Sequence, residues 1–244
     1  MRKAPVKTDP AVHSFLVLRR VVGIIALLLP LTLILPWWAA NHNLLPSSMS
    51  SYYYTGMRDI FVGALCAIGI INICCRGYDR QDTVFGILSG IFAMCVAFFP
   101  TTPDIGATHA QVVVGTIHIV CASLLFLSLA YFCFFLFTMS AEGHEVTRRK
   151  RHRNRVYRIC GGVILASVVS IVFFKVIHRP YLIGPIGSMF CFETTALMSF
   201  GVAWMVKGGA VLRDELAVER AAEEYQLEHH GHIAKEEQNE MAGA

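Results

Sequence analysis

The chain has little charge for its length. Only 16% of its 244 residues are Asp, Glu, Lys or Arg, while 55% are hydrophobic. A typical soluble domain carries about 25% charged residues, so this composition excludes an ordinary soluble protein. The net charge of +4 does not indicate nucleic-acid binding, because the basic residues lie between hydrophobic segments, where membrane topology requires them.

Motifs of the common enzyme classes are also absent. The chain has no HExxH zinc motif, no P-loop, no GxSxG, and no GxGxxG in a strand–helix setting. It has no CxxC, and its eight cysteines fall within or at the ends of hydrophobic segments. We therefore expect no disulfide framework. The sequence indicates no definite cofactor, and zinc is the one candidate.

What the chain does have is six hydrophobic segments near the length needed to cross a bilayer. They predict an all-α membrane protein, with a bundle of six transmembrane helices in residues 1–208. Residues 209–244 are predicted to form a charged cytoplasmic tail with a short amphipathic helix. The six segments are Phe15–Trp37, Ile60–Cys75, Val84–Pro100, Val112–Phe137, Val156–Ile177 and Met189–Val206.

The basic residues set the predicted orientation. Of the 21 Lys and Arg residues, 18 lie at the termini and in the second and fourth connections. Since positive charge is retained on the cytoplasmic side, we expect a multi-pass inner (plasma) membrane protein with both termini in the cytoplasm.

The basic fourth connection suggests a partner. The basic stretch Arg148–Arg155 is predicted to bind anionic lipid headgroups, at about 1 kcal/mol for each basic side chain near the surface. The spacings Gly86-x-x-x-Gly90 and Gly63-x-x-x-Ala67 predict close helix contacts. A homo-oligomer is a further partner that the sequence leaves open.

Ionisable side chains inside the segments need an explanation, because each costs about 2.5–3.5 kcal/mol at the centre of a membrane. In the predicted orientation they collect in the outer halves of the second, fourth and sixth segments. This asymmetry predicts a polar pocket open to the outer side, with a tyrosine at its entrance. The predicted pocket residues are Tyr53, Arg58, Asp59, Gln111, His118 and Glu193.

Several functions fit this set. In the favoured interpretation Arg58 attracts the headgroup of a lipid or small amphiphile, which the protein binds, senses or helps to move. In a second interpretation Asp59, His118 and Glu193 hold zinc in a membrane-embedded lipid hydrolase. An internal ion-pair network, in which Arg58 neutralises a carboxylate and His118 bonds Gln111, is the structural alternative. A non-catalytic membrane scaffold is the remaining function class.

Several motifs occur in order along the chain: Ser51–Gly69, Arg76–Asp79, Phe98–Thr101, Ala130–Phe132, Arg155–Arg158 and Trp204–Gly208. In these motifs the chain resembles, over about Val21–Gly208, an uncharacterised family of prokaryotic six-span membrane proteins, a domain of unknown function. The resemblance implies a six-helix inner-membrane protein and no established activity. A more remote likeness to DRAM-like six-span proteins concerns shape alone.

Overall fold

A computed structural model describes residues 10–41, 45–75, 80–139, 147–176, 181–183 and 186–211. The predicted tail helix and the Arg76–Asp79 turn lie outside these ranges. The long helices are α1 (Pro10–Asn41), α2 (Arg58–Cys74), α3 (Arg80–Phe98), α4 (His109–Tyr131), α5 (Arg148–Val176) and α6 (Ser188–Lys207).

Four short elements complete the described chain. A 3-10 turn (Ser50–Tyr54) precedes α2, and α4 continues directly into a π-helical turn (Phe132–Leu136). Before α6, strand β1 (Tyr181–Ile183) pairs antiparallel with β2 (Ile186–Gly187).

The six helices form a closed ring in chain order. Each helix packs against the next one along the chain, and α6 returns to pack against α1. One face of α1 shows why, since Val22, Ala26, Leu29 and Leu33 recur at helical spacing and are all buried. The opposite face of α1 leaves large apolar side chains exposed, for example Leu28 and Leu35. An apolar exterior around a packed interior is the arrangement that lipid, and not water, would surround.

Length and hydropathy identify the chain as a multi-pass membrane protein. Five of the described helices are long and apolar enough to cross a membrane: α1 from Ser14, α3, α4 with its π turn, α5 and α6. Helix α2 has 17 residues, about 26 Å at 1.5 Å per residue. This is slightly shorter than the roughly 30 Å hydrocarbon core.

The ring has two different ends. At the cap end, residues 45–57, 99–108 and 186–190 contact one another through Ser47. At the charged end, α1 enters the bundle beside the last residues of α6, where Arg20 contacts Gly208. The described parts of the connections from α1 to α2, from α3 to α4 and from α5 to α6 all lie at the cap end.

Glycines bring neighbouring helices into backbone contact. A Cβ placed on Gly90 of α3 would lie 2.5 Å from the carbonyl oxygen of Gly69 in α2. Gly23 and Gly201 form a similar contact between α1 and α6. By contrast, a Cβ on Gly63 would meet nothing within 4 Å. The predicted small-residue contact is therefore present at Gly90, whereas Gly63 faces outward.

We expect Gly90→Ala to lower the free energy of unfolding by about 1–3 kcal/mol, because the added methyl group forces α2 and α3 apart. Thermal unfolding in mild detergent would measure the change. Gly63→Ala is the matched control and should be neutral or slightly stabilising, since Ala is the better helix former. Equal midpoints for the two variants would contradict the packing described here.

Candidate functional site: the two ends of the bundle

The cap end is a network in which side chains bond to side chains and backbone atoms of other connections. The Ser47 hydroxyl donates to the Asp104 carboxylate at 3.0 Å, and the Tyr54 hydroxyl donates to the Thr101 carbonyl at 2.6 Å. Because these bonds join the first and third connections, they close this end of the ring.

Tyr52 anchors the same connection in the core. Its side chain is fully buried and packs edge-on against Trp37 and beside Phe190. Burial raises the pKa of Tyr52 to about 12, so the phenol stays protonated. Its hydroxyl has no hydrogen-bond partner among the described residues. Packing, and not hydrogen bonding, therefore holds Tyr52 in place.

Glu193 is the centre of the cap end. From the second turn of α6 its carboxylate accepts the Met49 N–H at 2.6 Å and also faces the Ser50 N–H. These amides begin the 3-10 turn, whose first N–H groups have no partner within the turn itself. The carboxylate therefore caps a helical turn that belongs to another connection, which explains a polar side chain at this depth.

His118 has a comparable role on α4. It is buried, and its Nδ1 lies 2.6 Å from the carbonyl oxygen of Phe99. Since a carbonyl only accepts, Nδ1 carries the proton. Phe99 directly follows α3, so His118 satisfies one of the carbonyls that every helix end leaves without an intrahelical partner.

The other predicted pocket residues lie on the surface. Arg58 is exposed, donates to the Tyr53 hydroxyl at 2.8 Å and stacks over its ring. Asp59 is exposed on the first turn of α2. Gln111 is exposed and forms a capping box with Thr108 at the start of α4.

The structure therefore distributes the six predicted residues over separate contacts. Asp59, His118 and Glu193 do not form a metal site, since the described residues contain no group of three or more potential ligands that could hold a metal ion. Among the described contacts, Arg58 donates to Tyr53, His118 donates to the Phe99 carbonyl and Gln111 accepts from Thr108.

The charged end contains a cavity that the sequence did not predict. It has a volume of ≈ 20 Å³, enough for about one water-sized group. Two cations, Arg19 and Lys207, line it together with one carboxylate, Asp82. The Arg19 side chain is only 7% exposed. The cavity thus combines small size, burial and an excess of positive charge.

The neighbouring residues Arg19 and Arg20 of α1 make different contacts. Arg20 donates from Nε to the Gly208 carbonyl at 2.8 Å and so caps the carboxyl end of α6. Arg19 points to the cavity and stacks on Phe15, with 4.1 Å from Cζ to the ring centroid.

More positive charge surrounds Lys207. Arg19, Lys150 and Arg153 lie close enough to repel a positive charge on Lys207, and Asp82 is the opposing charge. Lys150 also donates to the Met139 carbonyl at 2.7 Å, near the end of the π turn. The basic start of α5 is therefore partly built into the bundle and does not lie wholly at the surface.

Polar and aromatic side chains form the rest of the cavity wall. Asn72 of α2 is 2% exposed and donates to the Ser89 hydroxyl at 3.3 Å. Trp204 of α6 packs edge-on against Phe137 and beside Phe132. These two phenylalanines bracket the π turn, whose bond from the Phe137 N–H to the Phe132 carbonyl brings both rings to the cavity. Such turns are frequent at functional sites.

Sequence reasoning missed this cavity for identifiable reasons. The positive-inside rule accounts for Arg19 and Lys207 as topology signals, since both lie near ends of hydrophobic segments. The available signal was Asn72, a fully polar side chain in an otherwise apolar segment and therefore costly without a purpose.

No family model, curated protein or solved structure matches the chain. The resemblance to a six-span family therefore stays a prediction, and the two ends of the bundle carry the functional argument.

We expect Glu193→Gln to loosen the cap end, because the neutral amide keeps one acceptor oxygen in place of two and loses the charge that strengthens the bonds from the N–H groups. The free energy of unfolding should fall by about 1–3 kcal/mol, the usual range for a hydrogen bond to a charged group. Hydrogen exchange at the Met49 and Ser50 amides should accelerate. Asp59→Asn, at an exposed carboxylate, is the control and should change neither quantity. Unchanged exchange in Glu193→Gln would contradict the capping role.

Proposed function

We propose that this is a six-span inner-membrane protein, with both termini in the cytoplasm, that binds an anionic lipid or small amphiphile at its charged end. The observation that carries the proposal is the cavity lined by Arg19 and Lys207. Cations held in a membrane bundle are costly and are usually functional.

The charges around the cavity favour a negative ligand. The two cations face a single carboxylate, Asp82, and the nearby Lys150 and Arg153 add further positive charge. A phosphate or carboxylate at the mouth of the cavity would lower the repulsion among these cations. A cationic ligand would raise it.

Position also favours a lipid headgroup. Under the positive-inside rule the charged end faces the cytoplasm, where the inner leaflet presents its anionic headgroups. The first turns of α5 add exposed basic side chains at this end, which would attract the same headgroups. They are Arg148, Arg149, Arg151 and Arg155.

This proposal keeps the ligand class expected from the sequence and moves the site. The residues predicted to line an outward-facing pocket have structural contacts at the cap end, whereas the cations of the charged end line a cavity. The zinc hydrolase receives no support from the positions of Asp59, His118 and Glu193.

The topology can be tested by cysteine labelling in a variant whose native cysteines are replaced by serine. A cysteine at Ile105, which is 91% exposed at the cap end, should react with a membrane-impermeant maleimide in intact cells. Cysteines at Gln81 and Met139 should react only after lysis. Labelling of Gln81→Cys from outside would mean that α2 does not cross. The reverse pattern at Ile105 and Met139 would invert the proposed orientation.

The site can be tested by comparing one cation from each end. We expect Lys207→Met to weaken binding of phosphatidylglycerol by about fivefold or more, since one basic side chain near an anionic headgroup contributes about 1 kcal/mol. Arg58→Met, at the cap end, should leave affinity within about twofold. Native mass spectrometry of the detergent-purified protein titrated with this lipid would measure both. Loss confined to Arg58→Met would return the site to the cap end, and equal loss would refute both locations.

A further inference from the structure

Two atoms in the cavity wall have unmet hydrogen-bonding capacity. The Nε1–H of Trp204 is a donor without an acceptor, and the Oδ1 of Asn72 is an acceptor without a donor, among the described residues. Both side chains line the cavity and are only 4% and 2% exposed. Buried polar atoms are rarely left unpaired, so both atoms point to a polar group that the cavity receives.

The two atoms make complementary demands. Trp204 needs an oxygen that accepts, whereas Asn72 needs a hydrogen that is donated. A deprotonated phosphate or carboxylate oxygen meets only the first demand, and an ammonium group meets only the second. A hydroxyl group meets both, because it carries one donor and two lone pairs. A cavity of ≈ 20 Å³ accepts one group of that size and is too small for a whole phosphate.

The charges that line the cavity disfavour headgroups that carry an amine, and they also indicate what the rest of the ligand contains. Arg19 and Lys207 stand beside these two atoms, with Asp82 as the only carboxylate among the residues that line the cavity. A headgroup with its own amine, such as ethanolamine or choline, would bring a further positive charge to this place. A neutral polyol tip on an anionic phosphate would not.

We propose, building on the function above, that the charged end selects polyol phosphate esters: the hydroxyl enters the cavity between Trp204 and Asn72, and the phosphate stays at the mouth with Arg19 and Lys207. This chemistry has two sources, the headgroup of a phosphatidylglycerol-type lipid or a free glycerol phosphate ester. Selection then depends on the hydroxyl, and affinity depends on the phosphate charge.

The test compares two lipids of equal charge and equal acyl chains, phosphatidylglycerol and phosphatidylethanol. They differ at the headgroup tip, where phosphatidylethanol has no hydroxyl. By native mass spectrometry of the detergent-purified full chain, phosphatidylglycerol should bind about fivefold more tightly, as expected for one or two net hydrogen bonds. Free glycerol phosphate, added as competitor, distinguishes the sources: displacement of the lipid at similar concentrations indicates the soluble ester, and no displacement indicates the lipid.

Variants separate this inference from the proposed function. Trp204→Phe, which removes the N–H and leaves the Asn72 acceptor, should lower phosphatidylglycerol binding toward the level of phosphatidylethanol and leave phosphatidylethanol unchanged. Lys207→Met should weaken both lipids equally. Trp38→Phe, at an exposed position near the other end of α1, is the control and should change neither.

The outcomes are distinguishable. Equal binding of the two lipids by the wild-type chain would overturn the hydroxyl selection alone, and this comparison needs no variant to fold. A water molecule that fills the cavity would also overturn the hydroxyl selection. Binding of neither anionic lipid would overturn the proposed function itself.

Discussion

The constraint on which this structure depends is the absence of water between the two ends of the bundle. Hydrocarbon offers no hydrogen-bond partners, so every polar group at that depth has to be satisfied by the protein. The cap end meets this demand by pairing side chains with the free backbone groups of helical turns. Glu193 accepts from Met49, and His118 donates to Phe99. In both pairs a polar side chain and a backbone group, each of which would be costly to bury alone, form a hydrogen bond with each other.

The charged end meets the same constraint in another way. Arg20 caps the carboxyl end of α6, and Lys150 donates to the Phe137 carbonyl just after the π turn. Positive charge at these helix ends also complements the helix dipole. Asn72 and Trp204 each keep one atom without a hydrogen-bond partner among the described residues, and both side chains line the cavity. The unpaired Tyr52 hydroxyl at the cap end belongs instead to a side chain packed against Trp37 and Phe190. Unpaired atoms in the wall of a positively charged cavity are the physical reason for placing the ligand at the charged end.

The sequence predicts the helices well and their rotations poorly. Hydropathy located the last segment as Met189–Val206, and α6 spans Ser188–Lys207, because hydrophobic length is a local property. Whether Glu193 faces a metal, an arginine or the Met49 amide depends on how α6 is rotated against a connection 144 residues away. Composition carries no trace of that contact.

The location of the cavity was hidden for a related reason. Arg19 and Arg20 are adjacent and chemically identical, so positive-inside counting treats them alike. Only the packing of α1 against α6 directs Arg20 to the Gly208 carbonyl and Arg19 to the cavity.

A ring of helices assembled in chain order has one interface, between the first helix and the last, that no connection spans. Five of its interfaces join helices that are consecutive in the chain, whereas no connection joins α1 to α6. The contacts between these two helices include the Gly23–Gly201 approach and the bonds from Arg20 to Gly208 and Gly209. Separation there stretches no connection. Separation of α1 from α6 would therefore leave every connection between helices intact, and it would have to break the Arg20 bonds to Gly208 and Gly209.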